Sequence, residues 1–398
     1  MERLTRRGLL AATGAAALAG CVGGDAGSAG ESGDGPGADD GTADGPTPQP
    51  CPDPRGGDAR VTPVPADAPE AGGDGPFPTA DAQLSLPKTP EKLRDLSQSG
   101  GPAKDGIPSI DEPQFVGADA AEFLEDIDIV FGVVRDSVAK AYPQTILAQH
   151  EIVNDTLAGT PVAVTYCPLT GTAMGFYRGS TTFGVSGRLI NNNLVMYDRA
   201  TEAWWPQILG TAIPGPWNED PQVRSLREFR VVWTDWSSWR ERHPDTRVLS
   251  TETGYARNYA NDPYGSYTPL SGYYEGGPPM FPPLEYGDRY DPKDVVMGAR
   301  TADGAVAFEK TVLRSQGVIE GDLAGMPVLG VYDPRYDTGY VYENPEERSF
   351  SFDERCGHVV DADGTAHDPA GLGLPRLYTF DAMWFAWSGY YPETTVHE

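Results

Sequence analysis

The chain of 398 residues is poor in cysteine, histidine and basic residues. It has 4 Cys and 5 His, and its 30 Lys and Arg stand against 58 Asp and Glu, which gives a formal net charge of −28. Such a charge repels nucleic acid and anionic membrane surfaces, so neither is a predicted partner. The acidic residues run through the whole chain, which favours a halophilic protein that carboxylates keep soluble in concentrated salt.

The N-terminus lacks an apolar run of the roughly 20 residues that a membrane-spanning helix needs. Thr5-Arg6-Arg7-Gly8-Leu9-Leu10 is a twin-arginine type start, and the short apolar run after it ends in the lipobox Leu18-Ala19-Gly20-Cys21. Residues 1–21 are therefore predicted to be a twin-arginine lipoprotein signal. Lipid on Cys21 would anchor the protein to the outer face of the cell membrane, its predicted extracytoplasmic location. An uncleaved membrane anchor is the alternative.

Residues 22–105 have hardly any aromatic side chains and are rich in Gly, Pro and Asp. Such a segment cannot bury enough apolar surface to offset the entropy of the chain, which predicts a disordered acidic tether. Cys51 lies in it and is expected to have no partner. A bridge between the remaining Cys167 and Cys356 stays possible, since disulfides persist outside the cytoplasm.

The rest of the chain contains an internal repeat. Residues 128–177 align without a gap on residues 294–343 at an offset of 166, and 236–248 align on 384–396 at an offset of 148. The sequence thus predicts a first repeat unit at 106–292 and a second, shorter one at 293–398. The long insertion of the first unit falls in residues 183–207.

Apolar runs bounded by turn residues dominate both units and predict strands at 161–166, 181–185, 194–197 and 327–332. Short helices are predicted at 118–124, 144–150 and 235–242. The fold class that follows is a β-rich α+β protein, in which two tandem copies of one unit pack about a pseudo-twofold axis.

Differences between the copies favour a chemical site in the first. Cys167 and His150 are replaced in the second copy by Asp333 and Gln316. Cys167 ends an apolar strand, where backbone N–H groups favour a thiolate, and His150 is a candidate base for it. The alternatives are a small buried Cys, a His that satisfies a backbone carbonyl, and simple drift in the second copy.

A polar set near the inserted segment is the predicted ligand-binding site, and its members are Arg178, Ser186, Asn191, Asp198 and Arg199. An ion pair between Asp198 and Arg199 is the structural alternative. Neither a metal nor a cofactor is predicted, although two sets of potential ligands exist. They are His150, Cys167 and Met174, which lack the second His of a copper centre, and Cys356 with His358 and His367.

Several motifs resemble those of an uncharacterised family, domain of unknown function 3179. They are VFGV, AYP, HEIVNDT, TYCPLTGTAMGFYR, FGVSGRLINNNLVMYDRATEAWW and HPDTRVLSTETGYARNY, and the resemblance covers most of residues 107–398. Some members of that family carry a second Cys or a selenocysteine where Thr170 stands here, which implies a redox function for those members. In this chain the resemblance implies a single thiol on Cys167, with Thr170 supplying a hydroxyl, or a lost activity.

The leading hypothesis is a lipid-anchored, thiol-dependent redox protein that acts on an unknown small-molecule or thiol substrate. Cys167 would be its reacting sulfur, His150 would tune the charge of that sulfur, and Thr170 would donate a hydrogen bond. The alternative is a non-catalytic lipoprotein that binds a small polar ligand or copper between the two halves. A purely structural surface protein is a third interpretation.

Overall fold

The structure is a computed structural model that describes Cys51 and residues 76–398. The predicted signal, Cys21 and most of the predicted tether lie outside the described residues. Within them, no helix is both long and apolar enough to cross a membrane. Short helices and many strands make the described part β-rich, which confirms the coarse fold class.

The elements of residues 76–292 are short and are joined by tight turns. The helices are α1 (Pro90–Asp95), α2 (Gln144–His150) and α3 (Trp236–Arg242). The strands are β1 (Gln98–Ser99), β2 (Phe115–Gly117), β3 (Ile129–Arg135), β4 (Val138–Pro143), β5 (Ile152–Leu157), β6 (Thr160–Cys167), β7 (Thr172–Tyr177), β8 (Phe183–Ile190), β9 (Asn193–Asp198), β10 (Trp204–Pro206), β11 (Glu228–Phe229), β12 (Val232–Asp235), β13 (Arg247–Leu249), β14 (Gly265–Tyr267) and β15 (Leu270–Gly272).

The elements of residues 293–398 follow a similar order. The helices are α4 (Lys310–Gln316) and α5 (Trp384–Tyr390). The strands are β16 (Val295–Arg300), β17 (Ala305–Glu309), β18 (Val318–Leu323), β19 (Met326–Asp333), β20 (Thr338–Glu343), β21 (Phe350–Asp353), β22 (His358–Asp361), β23 (Ala366–His367), β24 (Arg376–Leu377), β25 (Thr379–Met383) and β26 (Thr395–His397).

Matching sheets occur in the two parts. The order β12-β3-β4-β13 in one sheet corresponds to β25-β16-β17-β26 in another, and β11-β7-β6-β5 corresponds to β24-β20-β19-β18. The first two of these sheets also share a parallel pairing, which joins β4 to β13 in one sheet and β17 to β26 in the other. The inserted residues 183–207 supply strands β8, β9 and β10 of a further four-stranded sheet, whose fourth strand is β1 from residues 98–99.

Buried apolar side chains of both parts pack into common clusters. Ile190 and Phe385 belong to one cluster, and Trp239 and Tyr340 belong to another. Burial of this kind stabilises the two parts jointly, since each covers apolar surface that the other would otherwise expose to water.

Three of the sequence-based assignments need correction. The helix predicted at 118–124 is only a 3₁₀ turn at Ala118–Ala120. The folded part begins before residue 106, because residues 76–105 include α1 and β1, and β1 pairs with β8. Cys51, expected to be unpaired, forms a disulfide with Cys356, and Cys167 is the free cysteine of the described residues.

A glycine of β3 and its match in β16 each receive a tryptophan ring. A Cβ on Gly132 would lie 2.1 Å from the Trp239 ring, and one on Gly298 would lie 2.2 Å from Trp387. The indole N–H of Trp239 donates to Thr246 at 3.0 Å. That of Trp387 donates to Thr394 at 3.1 Å, so neither ring can move away freely.

We expect Gly132→Ala to lower the free energy of unfolding by about 3 kcal/mol, because the added methyl overpacks a fixed ring. Urea denaturation measures this change. Gly117→Ala is the matched control, since a Cβ there meets no atom within 4 Å. Equal midpoints for Gly132→Ala and the control would contradict the packing argument.

Candidate functional site

Cys167 is the last residue of β6, and its side chain is only 1% exposed. Its Sγ accepts a hydrogen bond from the Leu194 backbone N–H at 3.3 Å, and its S–H donates to the Asn192 carbonyl at 3.5 Å. Both contacts come from the hairpin of β8 and β9, which is the inserted segment of the first half. The sulfur is thus held between β6 and this hairpin.

Burial decides the protonation state of the sulfur. Burial, together with the smaller effect of the Glu151 charge, raises the pKa of Cys167 to about 11. The Thr170 hydroxyl and the N–H groups of Thr170 and Leu194 act in the opposite direction. Backbone donors surround the sulfur as the sequence predicts, but desolvation outweighs them, so Cys167 is a neutral thiol at pH 7 and not the expected thiolate.

His150 does not form the predicted pair with Cys167. Its Nδ1 lies 2.7 Å from the carbonyl oxygen of Pro108, and its Nε2 lies 2.6 Å from the Tyr259 hydroxyl. Both ring nitrogens are therefore engaged away from the sulfur, and burial lowers the pKa of the imidazole. These contacts agree with the alternative considered from the sequence, in which this His satisfies a backbone carbonyl.

The neighbouring residue, Glu151, faces the site instead. It is 7% exposed, and its carboxylate has no hydrogen bond or ion pair among the described residues. Burial raises its pKa to about 8, and its charge acts on both Cys167 and Tyr264. A buried carboxyl group without a partner costs folding free energy, and such groups cluster at functional sites.

The backbone of Glu151 is strained as well. It caps the end of α2 in the left-handed conformation with φ 59°, and the equivalent cap of α4 is Gly317 with φ 75°. Glycine adopts this conformation at little cost, whereas a residue with a Cβ pays about 1–2 kcal/mol. The first half therefore keeps a strained, buried acid where the second half has the residue that favours the turn.

Thr170 is fully buried in the turn between β6 and β7. Its hydroxyl accepts a hydrogen bond from the Asn193 side-chain amide at 3.1 Å. Gln207 accepts from the same amide at 2.9 Å. These side chains fix the hydroxyl beside Cys167, as the proposed hydrogen bond from Thr170 requires.

Residues 262–275 form a layer over the site, which we call the tyrosine cover. The Tyr273 hydroxyl donates to the Leu169 carbonyl at 2.8 Å, and the Tyr274 hydroxyl donates to Asp262 at 2.8 Å. Tyr264 and Tyr273 pack against the apolar cluster that contains Cys167. A reagent can reach Cys167 only if this cover or the hairpin moves.

The predicted ligand-binding residues are not gathered around one cavity, and each has structural partners. Arg178 donates to the carbonyls of Val162 and Thr181, and Ser186 donates to that of Val195. Asn191 donates to the Ala386 carbonyl and accepts from the Leu284 N–H, which ties the hairpin to α5.

The last two of the set do not pair with each other. Asp198 accepts hydrogen bonds from the Thr201 N–H and the Trp205 indole, whereas Arg199 forms an ion pair with Asp111 at 3.0 Å. The ion pair considered from the sequence is therefore absent. Each of the five residues therefore has structural partners, and their role in ligand binding stays a prediction.

The described residues contain no group of three or more His, Cys, Asp and Glu side chains that could hold a metal ion. Cys356 is part of a disulfide, so the set with His358 and His367 loses its sulfur ligand. Neither of the two sets considered from the sequence forms a centre here.

Glu151 and the tyrosine cover escaped the sequence analysis. Glu151 could have been found from the alignment of the two copies, because it aligns with Gly317 and follows His150, which differs between the copies. Both Glu151 and Gly317 have a positive φ. The cover has no matching segment in the repeat, so the alignment gave no signal for it.

The model of a family described as protein of unknown function (DUF3179) matches residues 104–394, which is most of the chain. No curated protein and no solved structure matches.

The buried carboxyl group of Glu151 should make the free energy of unfolding depend on pH. Between its usual pKa of 4.5 and about 8, Glu151 is protonated in the folded protein and ionised in the unfolded chain. The free energy of unfolding should therefore fall as the pH rises through this window, by up to about 1.4 kcal/mol per pH unit. Glu151→Gln should remove this contribution, so its stability relative to wild type should rise with pH and level off above about 8.

Urea denaturation at a series of pH values measures the difference. Glu320→Gln is the control, because that side chain is exposed and the variant should follow the wild-type curve. If the difference between Glu151→Gln and wild type is the same at every pH, the carboxyl group is not protonated in the folded state.

Proposed function

Because the chain belongs to the DUF3179 family, which is described only as proteins of unknown function, we propose a function from the geometry of its site. It is a lipid-anchored, extracytoplasmic protein whose Cys167 thiol reacts with a small-molecule or thiol substrate. One observation supports the proposal, which is that Cys167 and an acid, Glu151, are both buried in the first half and that the charge of Glu151 acts on the sulfur.

Glu151 takes the role that the sequence assigned to His150. The carboxylate accepts the proton of the Cys167 thiol, and the Thr170 hydroxyl and the Leu194 N–H stabilise the negative sulfur that results. The resting site is neutral on both groups, so the thiolate forms only when the cover opens and Glu151 is ionised. This arrangement protects the sulfur from random oxidation between reactions.

The proposed chemistry is attack of the thiolate sulfur on an electrophilic oxygen or sulfur. With a peroxide, an S–O bond forms as the O–O bond breaks, and the products are a sulfenic acid and water or an alcohol. With a disulfide, a mixed disulfide forms and a thiolate leaves. Cys167 is the free cysteine of the described residues, so thiols of a partner must restore it. One thiol displaces Cys167 from a mixed disulfide, whereas the sulfenic acid needs two, the first of which forms a mixed disulfide and releases water.

The proposal also includes how the two parts of the fold are related. We infer that the two parts are tandem copies packed about a pseudo-twofold axis. The matching sheet orders support this inference, as do the two Gly–Trp contacts at equivalent positions. In this view one copy keeps the reactive site and the other completes the shared core.

The extracytoplasmic location has support from a second observation. The disulfide between Cys51 and Cys356 belongs to an oxidising compartment, since cytosolic thiols are kept reduced. Together with the lipobox that ends at Cys21, it favours the outer face of the membrane.

The second candidate function is binding of a small polar ligand between the two halves. A groove with charged and aromatic walls between elements of both halves favours it. Copper has no such support among the described residues.

We expect the rate of Cys167 alkylation by iodoacetamide to rise through a pH of about 8, where Glu151 ionises and can accept the proton. In Glu151→Gln this step should disappear and the rate at pH 8 should fall roughly tenfold or more. Only the rise toward the pKa of the thiol itself, about 11, should remain. Mass spectrometry of the labelled peptide measures both rates, and Cys167→Ser gives the background.

Tyr273→Phe tests whether the cover controls access. It removes the hydrogen bond to Leu169, so labelling should be faster at every pH, while Tyr255→Phe, at an exposed ring, should leave the rate unchanged. Faster labelling of Glu151→Gln than of wild type above pH 8 would show that the acid only opposes the thiolate. If Cys167 stays unlabelled in every variant, the proposed thiol chemistry is wrong.

Anchoring is tested separately. Cys21→Ser should move the protein from the membrane fraction to the soluble fraction, because it removes the attachment site of the lipid. Immunoblots of the two fractions measure the shift, and Cys51→Ser is the matched control that should stay with the membrane. Membrane retention of Cys21→Ser would contradict lipid anchoring.

A further inference from the structure

Two adjoining cavities form one groove between the halves, which we call the interhalf groove. Their volumes are about 350 and 370 Å³, enough for a small organic molecule. Both are lined by Trp233 of β12 and by Lys310 and Asp337 of the second half. Cys167 lines neither cavity, although Tyr267 and Tyr274 of the tyrosine cover line one of them.

One wall of the groove is aromatic. The rings of Trp233 and Tyr267 are 5.0 Å apart at 86°, and Tyr267 stacks on Tyr274 at 4.0 Å. Met383 and Leu270 add apolar surface to the same cavity, although Leu270 is 55% exposed. Aromatic surface next to carboxylates is the environment that attracts substituted ammonium ions.

Acidic residues outnumber basic ones in the lining. The acidic residues are Asp126, Asp235, Asp294, Glu309, Asp337 and Asp381, and the basic residues are Lys293, Lys310 and Arg314. The three basic side chains are already engaged by this chain. Lys310 pairs with Asp381 at 2.7 Å, Arg314 pairs with Asp337 at 2.6 Å, and Lys293 donates to the Tyr273 and Gly276 carbonyls. An anion in the groove would therefore have to compete with these partners for the three basic side chains.

Three carboxylates of the groove have no ion pair among the described residues. Asp235 accepts hydrogen bonds from Ser237 and Ser238, Asp294 accepts one from the Asp291 N–H at 2.9 Å, and Glu309 accepts one from the Val312 N–H at 2.7 Å. Burial, followed by the charges of Asp291 and Glu309, raises the pKa of Asp294. Repulsion of this kind is relieved by a cation between the carboxylates.

A buried hydroxyl group also lacks a partner at this groove. Thr234 lines it, is 2% exposed, and its Oγ1 has no hydrogen bond among the described residues. A buried polar atom without a partner is uncommon in folded proteins, and a bound ligand with a polar group would satisfy it.

We propose that the interhalf groove binds a small organic cation of the substituted ammonium class. The ammonium group lies against the aromatic wall of Trp233 and Tyr267, with Asp294 and Glu309 as its counter-ions. This inference extends the second candidate function and does not depend on the chemistry of Cys167.

Calorimetric titration with choline tests the proposal at constant ionic strength. The controls are the uncharged analogue, in which a tert-butyl group replaces the trimethylammonium group, and the anion tert-butylacetate. Choline should bind at least about tenfold more tightly than either, because only choline carries the positive charge. The double variant Asp294→Asn, Glu309→Gln should weaken choline binding roughly tenfold.

Both substitutions keep an oxygen that accepts the backbone hydrogen bond, so the fold should survive. The double variant Asp245→Asn, Glu320→Gln removes the same charge from exposed positions outside the groove lining and should bind choline like the wild type. Tighter binding of the analogue or the anion would overturn the ligand class but leave a binding function standing. No binding of any probe, or equal losses in the two double variants, would overturn the site itself.

Discussion

Exclusion of water from Cys167 is the constraint on which the site depends. The same burial that holds the thiol neutral also holds Glu151 protonated, because neither group has a charged partner in the enclosure. Ionising one of them makes ionisation of the other harder. The resting state of the pair is therefore two neutral groups at pH 7, and the proposed chemistry requires a change of pH or of the surroundings of the sulfur.

The thiol proposal therefore couples chemistry to conformation. A cysteine that is 1% exposed reacts at a rate set by the opening of its surroundings as well as by its pKa. The tyrosine cover is held by hydroxyl groups that donate to single acceptors, such as Tyr273 to Leu169. Each such hydrogen bond contributes about 1 kcal/mol, in addition to the packing of the rings on the apolar cluster around Cys167.

Local sequence patterns anticipated much of the fold, and they failed where distant residues decide. Helix α2 and strands β6, β9 and β19 were predicted to within a residue or two, because apolar periodicity and turn residues are local signals. Residues 76–105 were missed because their order comes from partners far along the chain, as when β1 pairs with β8. The partner of Cys51 lies 305 residues away, and no local pattern encodes such a pairing.

The site was predicted in part for the same reason. Repeat asymmetry marked Cys167 and the region of His150, but it does not encode which of two adjacent side chains turns inward. At the end of α2 the chain enters the left-handed conformation at Glu151, and this change of direction sends His150 toward Pro108 and Glu151 toward the sulfur. The second half makes the same turn at Gly317, which has no side chain. The two halves thus differ at this matched position, where the first has a strained residue with a side chain and the second has a glycine. The second half contributes Lys310 and Asp337 to the interhalf groove instead.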